Sequence, residues 1–540
     1  MNAIAGVLPL TRLGLRRDRI TIPAWALGLA AFTAATTALW AADFADPADL
    51  VQETRLAAAS PGIRMLGLTS APTIGAYAMV RNFVLLAVLA ALMSVFSVVR
   101  HTRQGEETGR AELVGAAVVG RHAGLAAALA VTVVADAVLA VLLALAFVVV
   151  GQPVAGSFTA GAAVATVGLA FAGVAAVTTQ LSTTARGASG EAAAVLGVAF
   201  LVCGVGNMAG RVDSSGLHVR SAWPAWLSPI GWGQQARPFA GDRWWPLGLT
   251  LVLFAAAVVL AVWLAGRRDF GHGVVAQPAG PARASRLLDG PLGLAWRLQT
   301  GALLGWASGM LGFGLIMGGL AEQVTNATGA ARDFYTRMGG SDVILDAYRT
   351  SILQMAGMAA AIYVVQVLVR LHAEEADGTV EPVLAAGTSR SRWALSYALA
   401  AAIGAIILLL LFATGAGLAA GAALGAPVGQ VRTLILAALV QLPAVLTIGA
   451  LVVVVVGLLP RFAGVLSWVV LVAAILIGPL FGATLRLPQR VQDLSPFTHL
   501  PKAPAMPVTV APVVALTVAL AALTLGGLFA LRRRDLSLPA

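Results

Sequence analysis

Long apolar runs separated by short polar ones dominate this chain. A helix crosses the hydrocarbon of a bilayer with about 20 apolar residues. Runs of that length predict spans near residues 22–42, 76–99, 124–150, 157–181, 190–210 and 246–265. A stretch rich in Gly, Pro and Ala follows over 266–291, with Arg267, Arg268, Arg283 and Arg286 in it. Six more spans are predicted near 302–321, 350–369, 394–421, 433–458, 464–485 and 510–531. The pattern gives an all-α integral membrane protein of about twelve helices. It divides into a first repeat over 1–265, a cytoplasmic linker over 266–291 and a second repeat over 292–540. Residues 5–20 set Leu8, Leu10, Leu13 and Leu15 beside Arg12, Arg16, Arg17 and Arg19. That fits a short helix lying in the interface, apolar side in lipid and arginines toward anionic headgroups. The plainer reading is a basic flank of the first span.

One polar stretch between spans occurs twice. Arg100 to Arg121 reads RHTRQGEETGRAELVGAAVVGR, and Arg370 to Arg390 reads RLHAEEADGTVEPVLAAGTSR. The expected register pairs Arg100 with Arg370, Glu106 and Glu107 with Glu374 and Glu375, Gly109 with Gly378, Glu112 with Glu381, and Arg121 with Arg390, Asp377 being an insertion. Leu227-Ser228-Pro229 before span six likewise answers Leu494-Ser495-Pro496 before span twelve. Each half has an even number of spans, so the repeats are expected to be parallel, related by an axis along the membrane normal. Two such halves facing one another would suit a central pathway.

Composition narrows the class. Of 540 residues 59% are hydrophobic and 11% charged, against about a quarter charged in soluble domains. The net charge of +11 comes from arginines that flank apolar runs. This indicates membrane orientation and excludes a nucleic-acid patch. Arg12–Arg19, Arg100–Arg121, Arg186, Arg267–Arg268, Arg370–Arg392, Arg461 and Arg532–Arg534 fall on one side if both termini are cytoplasmic. No cleavable signal peptide is expected from the arginine-rich residues 1–20. Lys502 is the one lysine, and no GxxxxGK[ST] string exists, so the chain has no P-loop for ATP. A lone Cys203 and six scattered histidines offer no metal-ligand spacing, and no catalytic constellation is evident.

Three groups of residues remain as candidates. The glutamate loops read either as a solvated turn or as a docking surface, and their repetition favours docking. Asp136 falls midway along span three, where a carboxylate is by default a candidate pathway residue. The alternative is a structural hydrogen bond to a neighbouring helix; the second half has Ala405 at that place. Trp223, Trp226 and Trp232 crowd an outer loop with Pro229, answered by Pro496 and Phe497. They read as ordinary interfacial anchors or as short broken helices forming an outer gate.

The interfacial helix, six spans and EE-x-G-x-x-E motif between spans two and three resemble ABC exporter permeases of the type-2 class. The stretch LSPIGWGQQARPFAGDRWWP, Leu227 to Pro246, is similar to the fused, double-length permeases of actinobacterial drug and polyketide exporters. The resemblance spans essentially the whole chain. It implies that the loop after span two is a coupling helix docking on an ATP-binding subunit. Glu106, Glu107, Gly109, Glu112 and Arg121 would do this in the first half, and Glu374, Glu375, Gly378, Glu381 and Arg390 in the second. Pro382 stands where the first copy has Leu113, so the two docking sites should differ. The resemblance further implies a plasma-membrane permease without cofactor of its own, exporting hydrophobic drug-like compounds. ATP and Mg2+ would be bound by two copies of the partner subunit. The rival expectation is an ion-coupled secondary transporter using Asp136.

Overall fold

The computed structural model describes residues 3–269, 271–275, 283, 285, 288–321, 344–424, 426–478 and 488–535. It separates into two compact units, Met1–Gly280 and Pro281–Ala540. Twelve helices among the described residues are long and apolar enough to cross a membrane. The chain is a multi-pass, all-α membrane protein.

In the first unit, α1 (Val7–Arg17) precedes α2 (Thr21–Asp43). Two short helices, α3 (Pro47–Ala59) and α4 (Pro61–Leu66), lead to α5 (Ile74–His101). The charged loop contains α6 (Arg103–Glu107) and α7 (Arg110–Gly115). Then come α8 (Ala123–Val149), α9 (Val154–Leu181) and α10 (Ala185–Met208). A two-stranded hairpin, β1 (Arg211–Val212) and β2 (Val219–Arg220), precedes α11 (Pro229–Gln235) and α12 (Trp245–Ala265). Helix starts follow from capping chemistry: the Thr73 and Thr184 hydroxyls accept from the Ala76 and Gly187 amides at 3.3 and 3.0 Å, satisfying N–H groups that the first turn leaves free.

The second unit runs through α13 (Pro291–Gly319), α14 (Ile344–Ala376), α15 (Glu381–Ala385), α16 (Arg390–Leu424), α17 (Pro427–Leu439) and α18 (Leu442–Leu458). It continues with α19 (Ala463–Ile477), α20 (Gln489–Gln492) and α21 (Val510–Arg533). Each unit is built around its second span. In the first, α5 packs against α2, α8, α9 and α10; in the second, α14 packs against α16, α18 and α19. The last span of each half, α12 or α21, lies on the fourth, α9 or α18. Lipid tails give apolar side chains no reason to avoid them, so these contacts rest on close packing of small residues. Gly161 to Ala175 of α9 is largely such a face, and most of it is buried.

Two predicted spans differ from the sequence reading. The seventh, expected over 302–321, begins at Pro291 and is continuous with the residues before it. The second half thus has no break between a lead-in helix and its first span, whereas Asp18–Ile20 interrupt the first. The tenth, expected over 433–458, is two helices meeting at Val440 and Gln441. Pro427 and Pro443 start the two pieces well, because proline lacks only an N–H that the first turn does not use. The residues of span eleven after Gly478 lie outside the described residues.

Candidate functional site

The first charged loop is folded by its own ions. Arg103, 1% exposed, donates through Nε and Nη2 to the Thr179 carbonyl at the end of α9, at 3.1 and 2.5 Å. Its Nη1 meets Glu106 Oε2 at 2.7 Å. On the far side of the same carboxylate, Arg268 places Nη2 2.6 Å from Oε1 and Nη1 3.0 Å from Oε2. Glu106 therefore bridges two guanidinium groups and ties the loop to the end of α12. Glu107 accepts from the Ala185 amide at 2.9 Å and so holds the N-terminus of α10, where the helix dipole favours a carboxylate. Arg121 donates to the carbonyls of Ala265 and Gly266 at 3.2 and 2.9 Å, at the other end of the dipole of α12. Glu112 lies exposed on α7.

The second loop repeats this scheme with different spacing from the one expected. Glu375, 2% exposed, receives Arg534 through both oxygens at 2.5 Å, and Arg390 donates to the Arg534 carbonyl. The residue bridging to the last span is thus Glu106 in one half and Glu375 in the other. One offset of 269 residues, without gap or insertion, relates Glu106 to Glu375, Gly109 to Gly378, Glu112 to Glu381 and Arg121 to Arg390. Asp377 is not an insertion, and the pairing of Glu106 with Glu374 and Glu107 with Glu375 gives way to this register. Glu107 then faces Ala376, and Glu374 has no acidic counterpart. Glu374 instead accepts from Tyr397, from Trp393 Nε1 at 3.3 Å and from Arg370 Nε at 3.3 Å. Gly109 and Gly378 sit at φ +70° and +72°, the left-handed turn that glycine adopts without penalty. After them Glu112 and Glu381 both stand in the first turn of an exposed short helix. Pro382 is the second residue of α15, where its missing N–H goes unused.

Asp18 was missed by the sequence reading. It is buried at the end of α1, 2.7 Å from Arg100 Nη1 and 2.7 Å from His101 Nε2. Burial alone would raise its carboxyl, but hydrogen bonds and charge from His101 and Arg100 outweigh this and hold it below the usual carboxylate range. In the second half Arg370 meets the corresponding region by donating to the Leu298 carbonyl at 2.9 Å. The available signal was the position of Asp18 as the one acid in an arginine-rich lead-in.

Asp136 is fully buried where α5, α8 and α9 meet. Ser94 Oγ lies 2.9 and 3.1 Å from its two oxygens. On the third side a Cβ added at Gly168 would sit 2.5 Å from Oδ1. The offset of 269 brings Tyr363 and Ala405 to the places of Ser94 and Asp136. There the phenol fills the junction and donates to Gln299 Oε1 at 3.3 Å.

The segment between α10 and α12 is a chain of short turns and short helices. Trp223 is exposed, while Trp226 stacks on Trp245 with ring centroids 5.5 Å apart. Trp232 Nε1 donates to the Trp226 carbonyl at 2.6 Å. Pro229 is buried behind Ser228, whose hydroxyl donates to the Ala199 carbonyl of α10 at 2.7 Å. Ser495 does the same to Ala474 of α19 at 2.7 Å, with Pro496 and Phe497 buried beyond it. The repeated Leu-Ser-Pro is therefore a fastening of the segment before the last span to the fifth span of each half. Phe239 was not singled out in the sequence. Its ring lies 5.2 Å from that of Phe147 and so close to Gly156 that an added Cβ would come within 2.2 Å.

Residues 288–532 match the family model described as the C-terminal domain of the multidrug efflux system permease Rv1217c. The multidrug efflux system permease protein Rv1217c of Mycobacterium tuberculosis is 38% identical, in an alignment covering 99% of this chain and 96% of the relative. Identity of that extent, over two halves built alike, leaves one classification: the chain belongs to the family of double-length multidrug efflux permeases, within the ABC exporter class that its charged loops resemble.

Proposed function

We propose that this permease works in an ATP-driven exporter of hydrophobic, drug-like compounds, with ATP and Mg2+ bound by two copies of a separate subunit. One copy docks at each charged loop. The observation that carries the reading is the gap-free duplication of the loop, with Glu112 and Glu381 exposed on its short helix and Glu106 or Glu375 bonded inward. An exposed acidic helix offers a partner an oriented contact. The inward ion pair makes that helix move with the last span, so a push on the loop becomes a tilt of the membrane helix. Glu107, Gly109 and Arg121, with Glu374, Gly378 and Arg390, shape and brace the loops. Both termini and both loops lie on the cytoplasmic side in this reading, which the arginines at span ends support. The Trp223–Trp232 segment and its Pro496–Phe497 counterpart form the outer gate. Asp136, bonded to Ser94 in a closed helix junction, is given a structural part, and ion-coupled transport through it finds no support in those surroundings.

The test is ATP hydrolysis by the partner subunit with and without the permease in lipid discs, comparing wild type with Glu112→Arg, Glu381→Arg. Loss of permease-dependent hydrolysis with the protein still folded supports docking at these residues. Undiminished stimulation by the double variant rejects it.

A further inference from the structure

Beneath α1 lies a cavity of about 610 Å3, within the range of small-molecule sites, about 300–1,000 Å3. Three contacts hold α1 over it: one at each end, and one at Gly14, which is buried against Val131 of α8. At its start, the Gly120 and His122 amides donate to the Ala5 and Ala3 carbonyls at 2.9 and 3.0 Å. At its end, Asp18 holds Arg100 and His101. The cavity is lined by α1, by the charged loop and by the start of α8.

The lining combines two chemistries. Leu10 and Leu13 of α1, Val114 of α7, and Leu125 and Val131 of α8 give an apolar wall. Five arginines, Arg17, Arg100, Arg110, Arg121 and Arg268, face two carboxylates, Glu106 and Asp269. Arg268 is already neutralised by Glu106, and Arg100 by Asp18. Among the described residues no carboxylate lies within ion-pair distance of Arg17, Arg110 or Arg121. A cavity lined by a net excess of guanidinium groups together with leucine and valine matches one ligand chemistry: an oxyanion joined to hydrocarbon. Basic pockets among helices at a membrane surface take anionic headgroups in this way.

We propose that this cavity binds a phosphate-bearing amphiphile, the phosphate facing Arg17, Arg110 and Arg121 and the hydrocarbon lying on the leucine and valine wall. The source the geometry favours is a phospholipid of the surrounding leaflet, since α1 lies at the end of the first span. A ligand seated there touches α1, the charged loop and α8 together, so its presence stiffens the loop against α1 and α8. The proposal stands on the geometry of the first unit and not on the transport reading.

The experiment uses the full-length permease, delipidated in mild detergent and titrated with dioleoyl phosphatidylglycerol, dioleoyl phosphatidylcholine or inorganic phosphate, with bound molecules counted by native mass spectrometry. Wild type should retain phosphatidylglycerol over phosphatidylcholine. Arg17→Gln, Arg110→Gln removes two exposed, unpaired charges and should weaken phosphatidylglycerol about thirtyfold. Val114→Trp fills the cavity, keeps every charge and should weaken it as well. Arg12→Gln, Arg16→Gln changes two arginines on α1 that do not line the cavity and should leave binding as in wild type. Equal losses in both arginine pairs, or full binding by Val114→Trp, would make the effect one of surface charge and overturn the proposal. Displacement of the lipid by inorganic phosphate at equal concentration would assign the cavity to a free oxyanion and overturn the amphiphile.

Discussion

Arg534 grips Glu375 through both carboxylate oxygens at 2.5 Å, joining the charged loop of the second half to the end of its last helix. Removing one member of a buried ion pair leaves the other charge without compensation and costs about 3–5 kcal/mol. Glu375→Ala should therefore lower the thermal unfolding midpoint strongly, while Glu112→Ala, on an exposed residue, should leave it nearly unchanged. Circular dichroism or dye-monitored melting of the detergent-solubilised protein would decide this. Equal midpoints for the two variants would contradict the bracing role.

The fastening of α1 has a pH signature. The Asp18 carboxyl is depressed in the folded protein, so its contribution to stability is fully present above the ordinary carboxylate range. It is lost as pH falls through the lowered folded value. Wild type and Asp18→Asn should differ most near neutral pH and converge in strong acid. A constant gap across that range in chemical denaturation would count against the assignment.

Phe239 and Gly156 form a lock that can be tested as a pair. Gly156→Ala drives a methyl group into the Phe239 ring, and overpacking of this kind costs about 1–3 kcal/mol. In a Phe239→Ala background the same change should cost much less. Additive losses in a double-mutant cycle of unfolding free energies would show that the two do not touch.

Asp136→Asn keeps an oxygen able to accept from Ser94. At equal expression, drug tolerance of cells carrying the variant should stay within about twofold of wild type, since the charge goes while the junction stays filled; the buried amide N–H groups should lower thermal stability, by about 1–3 kcal/mol. Loss of tolerance at undiminished expression would restore the carboxylate as a pathway residue.

The spans were legible because the bilayer imposes one length and one composition on every helix that crosses it. Ten of the twelve predicted stretches correspond to helices with ends within a few residues, apart from longer ends at Ile344–Ala376 and residues beyond Gly478 that lie outside the description. The charged loops were legible as a repeat. The partners that fold them were not, since Glu106 and Arg268 are 162 residues apart and nothing in local periodicity links them. Arg268 and Arg534 were visible only as positive charge at span ends, one signal for two physical tasks: orienting a helix and neutralising a distant carboxylate. The register error had the same origin. Two adjacent glutamates look interchangeable in a string, whereas burial distinguishes the buried Glu375 of one half from the exposed Glu107 of the other. Phe239 gave no signal, because its partner is the absence of a side chain at Gly156.

The unbroken α13 has a meaning that only a fused chain can express. A transporter assembled from two identical polypeptides writes every substitution twice, so an articulated joint on one side is an articulated joint on both. Here the lead-in to the first span is interrupted at Asp18–Ile20, and that to the seventh is one helix from Pro291 to Gly319. A single chain that carries both halves can hold an interruption on one side and an unbroken helix on the other, and a substitution can alter either one alone.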